Sequence, residues 1–202
     1  MITTISDVDI VEKINDYNII LVGTNTYCTM SNGLQRDVML DYPYVQEENM
    51  KTKYGDPKKL GTILECSKDG EPTFCLLFIT NGYNFRPDLN ADYLSYESLA
   101  KCLKLINRKY KNKKVACPLL GCSRFDGNGS KEEVMKIFNE TITNVDLTIF
   151  DYFQKSRAEK LKETREKELA VKAVDREAYY KMVNERKQKA NERFKRNGHA
   201  RY

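Results

Sequence analysis

Asn18-Ile19-Ile20-Leu21-Val22-Gly23 is the stretch that decides the fold. An apolar, largely β-branched run this short, closed by glycine, reads as a strand buried on both faces at the centre of a sheet. The residues after it, Gly23-Thr24-Asn25-Thr26-Tyr27-Cys28-Thr29-Met30-Ser31-Asn32-Gly33, form a polar turn. Leu34, Val38 and Met39 then recur at helical spacing until Asp41-Tyr42-Pro43 stops the helix. Strand, glycine turn and helix make one α/β unit, and the unit recurs further on. Val115-Ala116-Cys117-Pro118-Leu119-Leu120-Gly121 is a strand feeding a second turn, Gly121-Cys122-Ser123-Arg124-Phe125-Asp126-Gly127-Asn128-Gly129-Ser130. Ser130-x-x-Glu133 opens the next helix as a capping box.

Outward from these units the same alternation continues. Residues 2–5 read as a short strand, 9–15 as a short helix and 45–54 as a second helix. Residues 61–66 and 73–80 read as strands joined about Lys68-Asp69-Gly70, a hairpin signal. Residues 81–94 have no period and the length of a connection that closes over a ligand. Residues 95–110 carry Leu99, Cys102, Leu103 and Ile106 on one helical face and end in basic residues, and 147–150 form a last strand. The expected class is α/β over about the first 150 residues.

The chain has 202 residues, room for such a domain and an appendage. With 41% hydrophobic residues it is not a disordered polymer, yet its charge is unevenly placed: residues 1–154 have net charge −3 and residues 155–202 have +8. Residues 154–196 contain neither proline nor glycine and read as one long, exposed basic helix within a 153–202 extension. Its apolar positions keep no heptad, and Glu163-Lys167 and Glu168-Lys172 are i,i+4 pairs that support a solvated helix. Residues 181–202 hold 8 Lys and Arg against 2 acids, so the extension either binds a polyanion such as nucleic acid, packs on a protein partner, or stays solvated.

No apolar run approaches the roughly 18 residues of a membrane span, and Asp7, Asp9 and Glu12 replace a signal peptide's basic start. A cytoplasmic protein without membrane contact is expected. The six cysteines lack C-x-x-C spacing and sit mostly in apolar runs, where free buried thiols are expected. The only histidine, His199, lies in the extension. Residues 1–152 therefore have no imidazole for zinc or for Ser-His-Asp and Cys-His mechanisms, and no metal or cofactor is expected.

Both glycine turns follow a strand and precede a helix. That geometry suits phosphate, because the first helical turn leaves N–H groups unpaired and carries partial positive charge. Neither turn has the Gly-Lys-Ser/Thr of a nucleotide triphosphatase loop or a G-x-G-x-x-G fingerprint. Two ordinary strand-to-helix turns would share the pattern.

Asn25-Thr26, Met30-Ser31-Asn32-Gly33-Leu34 and Asp41-Tyr42-Pro43, in that order, resemble the N-T, M-G-x-G-[IL] and K-R-[FY]-P motifs of one macrodomain branch. That branch includes DNA ADP-ribosyl glycohydrolase antitoxins, terminal ADP-ribose glycohydrolases and yeast-type ADP-ribose 1''-phosphate phosphatases. Lys53-Tyr54-Gly55 and Leu60-Gly61-Thr62-Ile63-Leu64 resemble the phosphatases, and Cys117-Pro118-Leu119-Leu120-Gly121-Cys122 is similar to the family's P-x-[IL]-G-C segment. The resemblance implies a macrodomain over residues 1–152, a three-layer α/β/α domain with a mixed sheet, that binds ADP-ribose or a derivative and hydrolyses it, with the 1''-phosphate as substrate. A non-catalytic reader of ADP-ribose and an ADP-ribosyl glycohydrolase are the alternatives it carries.

By position, Asp7 stands for the acid that contacts adenine, with Asp9 as rival. Asn25 would reach the distal ribose, and Met30, Ser31, Asn32, Gly33 and Leu34 would wrap the distal ribose and diphosphate. Gly121, Cys122, Ser123, Arg124, Phe125, Gly127 and Asn128 would cradle the phosphates. Phe150 or Tyr152 would pack on adenine, against a core role for Phe150. Asp126 is the candidate catalytic base, with Ser130 aligned in its place when counted back from the helix, and Cys122 the alternative nucleophile. The chain departs from the glycohydrolases at Asn81-Gly82, where they carry lysine, and Ser31 replaces a loop glycine.

Overall fold

The computed structural model describes residues 1–80, 93–123 and 127–152, together with Lys181, Asn184, Glu185 and Gln188. The chain divides into two units, Met1–Phe153 and Gln154–Tyr202. In the second unit the four described residues are helical and exposed. The rest of the expected 154–196 helix, and residues 81–92 of the connection, lie outside the described residues.

Six strands form one mixed sheet in the first unit: β1 (Ile2–Ser6), β2 (Ile19–Asn25), β3 (Ile63–Cys66), β4 (Thr73–Thr80), β5 (Lys114–Pro118) and β6 (Asp146–Asp151). Their order is β1-β6-β5-β2-β4-β3. All neighbours are parallel except β3, which pairs antiparallel with β4 through the Asp69-Gly70 turn. Ile19-Ile20-Leu21-Val22 is buried throughout because β2 is central and both of its faces are covered.

Alternate side chains of the strands enter two different cores. Ile20 and Val22 of β2, with Phe74 and Leu76 of β4, meet Leu34 and Val38 of α1 (Gly33–Asp41), Val45 of α2 (Pro43–Met50) and the 3-10 turn Ile10–Asp16. Ile19 and Leu21, with Cys75, Leu77 and Ile79, meet α3 (Tyr96–Lys109) and α4 (Lys131–Thr141). This is the three-layer α/β/α arrangement that the resemblance implies, and the α/β class expected from the alternation.

Local chemistry explains where the helices begin. Ser95 caps α3 by accepting from Ser98 N at 3.2 Å, while Glu97 in the first turn and Arg108 and Lys109 in the last complement the helix dipole. Pro43, read as a stop, is also a start: it ends α1 and is the first residue of α2, a position where its missing N–H costs nothing. That shifts the second helix two residues ahead of the apolar pattern. It stops at Met50, where the Thr52 hydroxyl donates to Asn49 O at 2.7 Å.

Candidate functional site

Strands β2 and β5 are neighbours, but their chains leave in opposite directions. From β2 the chain enters α1 and α2 on one face of the sheet; from β5 it enters α4 on the other. The ladder between them pairs only Ile19 with Val115 and Ile20 with Ala116, although both strands run on toward their carboxyl ends. A doubly wound sheet opens a crevice at such a switch point. The two glycine turns recognised in the sequence flank it.

In the first turn, Asn25 builds the loop from within. Its Nδ2 donates to Thr29 O at 3.0 Å and Thr29 Oγ1 at 2.7 Å, and its Oδ1 accepts from Tyr27 N at 2.9 Å. The amide expected to face a ribose is thus engaged in holding residues 25–29. Met30 is 2% exposed and Leu34 9%, both in the core, so any contact they offer a ligand comes from backbone. Ser31, Asn32 and Gly33 are exposed. Gly33 has φ +51° and open space where a Cβ would stand, and Asn32 makes no capping bond, so the α1 amides begin without a side-chain cap.

The second turn is organised differently. Gly121 has φ +70°, and a Cβ on it would stand 2.6 Å from Leu94 Cδ1; one on Gly129 would stand 2.4 Å from Leu94 Cδ2. Gly127 would meet Gly121 O at 2.6 Å. The glycines therefore let Leu94 seat against the turn. Gly127 and Asn128 donate to Ser123 O, both at 3.0 Å, and Gly129 donates to Gly121 O at 2.9 Å. Tyr93 N and Leu94 N both donate to Gly127 O. The Gly127 and Asn128 amides, read as part of a phosphate cradle, and that of Gly129 thus bond to carbonyls of the same turn. Arg124, Phe125 and Asp126 lie outside the described residues. Ser123 is exposed, and the half-buried Cys122 points its Sγ at Leu120 O at 3.7 Å.

At the flanks, Asp7 is exposed and takes φ +62° just after β1. Its rival Asp9 caps the 3-10 turn, accepting from Val11 N at 3.1 Å. Phe150 is 1% exposed and meets the Tyr17 ring edge-on at 5.9 Å, which places it in the core; Tyr152 is half-buried. Ser130 caps α4, accepting from Glu133 N at 3.3 Å, but the return contact of a capping box is replaced, since Ser130 N donates to Tyr96 Oη at 2.8 Å.

The sequence reading missed two supports. Leu94 was hidden in an aperiodic stretch, and three glycines at spacings too irregular for a motif were its only signal. The other support lies behind Cys28. Gln46 Nε2 donates to Cys28 O at 2.9 Å, and Lys59 Nζ donates to Cys28 Sγ at 3.2 Å and Thr52 Oγ1 at 2.9 Å. Elsewhere, burial pushes the Cys66, Cys75 and Cys102 thiols up to about 12 and raises Cys117 as well, so these four are protonated packing groups at neutral pH.

Known structures share this fold. A protein of unknown function from Bacteroides thetaiotaomicron aligns with a TM-score of 0.61 at 18% identity, over 75% of this chain and 98% of its own. The macrodomain of Mycobacterium tuberculosis DarG aligns with a TM-score of 0.54 at 16% identity, over 74% and 97%. The chain has the macrodomain fold. Thermosipho africanus DarTG in complex with ADP-ribose aligns with this macrodomain fold at a TM-score of 0.53 and 16% identity, over 70% of this chain and 39% of that one. No family model and no curated protein matches the sequence.

Proposed function

We propose that residues 1–152 bind ADP-ribose or a derivative in the crevice at the carboxyl ends of β2 and β5. The observation that carries the reading is the divergence of two adjacent strands into helices on opposite faces, with no side-chain cap from Asn32 on α1 at the opening. Exposed Ser31, Asn32 and Gly33 would hold the diphosphate and distal ribose through backbone, and Asp7, exposed beside β6, would meet the adenine. The similarity to a structure solved with ADP-ribose supports that ligand.

Hydrolysis of the 1''-phosphate is the finer reading, with Asp126 as base. Calorimetric titration of the full chain with ADP-ribose tests the ligand: saturating heat is expected, and none at high micromolar concentration overturns the proposal. Phosphate release from ADP-ribose 1''-phosphate, abolished in Asp126→Ala while ADP-ribose still binds, is the outcome expected of the enzyme. Binding without turnover in the unaltered chain leaves a reader.

A further inference from the structure

The Cys28 and Lys59 side chains meet in a setting that ordinary packing does not require. Cys28 has φ +56°, in the left-handed region uncommon for a residue with a side chain, and is 3% exposed. Lys59 Nζ lies 3.2 Å from its sulphur, 2.9 Å from Thr52 Oγ1 and 4.7 Å above the Phe78 ring. No carboxylate among the described residues lies within ion-pair distance of it. The Thr52 hydroxyl gives its one proton to Asn49 O, so at the 3.3 Å contact with Thr52 Oγ1 the thiol is the donor. Two neutral partners, the Thr52 hydroxyl and the Phe78 ring, thus hold the Lys59 nitrogen against a thiol at reacting distance, between two segments 31 residues apart in sequence.

We propose that Cys28 and Lys59 form an oxidative modification site, at which dioxygen joins the two side chains through an N–O–S bridge. Starting from ammonium and thiol, two N–H bonds and the S–H bond are lost. One oxygen atom forms the new N–O and O–S bonds, the other leaves as water, and one proton passes to solvent. Nitrogen and sulphur are oxidised and dioxygen is reduced. The pair meets the geometric demand of this chemistry, with the Lys59 nitrogen 3.2 Å from the Cys28 sulphur. The bridge would tie the β2–α1 turn to the turn Pro57–Lys59.

Mass analysis of the full chain, freshly reduced and after equilibration in air-saturated buffer, tests this without reference to any nucleotide. The expected product is a peptide joining Cys28 to Lys59, heavier than its parts by one oxygen less two hydrogens. Dithiothreitol should remove it, and Cys28→Ser and Lys59→Arg should each lack it. Cys28 remaining a free thiol, Cys28 gaining oxygen without joining Lys59, or the same product persisting in Lys59→Arg would each overturn the proposal.

Discussion

Gly121 shows how one residue can serve two ends that a sequence cannot separate. Its place between strand and helix suits a phosphate turn, but its φ of +70° and the 2.6 Å approach of Leu94 to a Cβ give a packing reason for glycine. Gly121→Ala is expected to lose about 1–3 kcal/mol by urea denaturation, from left-handed strain and overpacking together. Leu94→Ala removes the obstructing methyls and costs about 2–4 kcal/mol alone. In the double variant the overpacking vanishes, so its loss should be smaller than the sum of the single losses; strict additivity would refute the contact as the cause. Asn25 carries a similar lesson. Read as a ribose contact, it also bonds Thr29 and Tyr27 within its own turn. Asn25→Ala should cost about 1–3 kcal/mol even without ligand, because the loop amides it satisfies lose their partner.

Among the elements, the sequence exposes whatever follows from a period and hides whatever depends on the far side of the fold. The Leu99, Cys102, Leu103 and Ile106 spacing reads directly as α3, and Asp69-Gly70 as the hairpin. Whether a helix start is capped or open is legible only in part. Ser130 is visible as a cap, but Tyr96, which accepts its N–H, comes from 34 residues away. Ser130→Ala is expected to lower stability by about 1 kcal/mol, whereas Asn32→Ala, which removes no capping bond from α1, should cost clearly less in the same thermal unfolding assay. The tie between β3 and α3 was also beyond sequence reading, since it joins residues 44 apart: Lys109 bonds Glu65. Burial pushes the Glu65 carboxyl up, but hydrogen bonds from Lys109 and Tyr110 outweigh it and hold the group below its ordinary 4.5. A depressed carboxylate contributes stability above the unfolded value and loses it as pH falls through the folded one. Glu65→Gln should therefore flatten the decline in stability below about pH 4.5, where urea midpoints of the two proteins should converge.

For the whole molecule, charge divides the chain where the contacts do. Met1–Phe153 and Gln154–Tyr202 are separate units, and the net charge of −3 over residues 1–154 gives way to +8 over 155–202. A nucleotide ligand is met by local amides and needs no net positive charge, whereas a long polyanion responds to the density of lysine and arginine. ADP-ribose binding and any binding of a polyanion through the extension should therefore come apart on truncation. Ending the chain after Phe153 should leave the calorimetric affinity for ADP-ribose unchanged, because no group assigned to the crevice lies beyond that point. Binding to duplex DNA or RNA should fall in the same truncation. For the full chain, log affinity should decline with log salt at a slope of about 0.9 per neutralised phosphate on B-form DNA, and the shortened chain should lose most of that slope. Should truncation leave the slope intact, residues 154–202 do not carry the contact, and the charge that meets the polyanion belongs to the sheet domain.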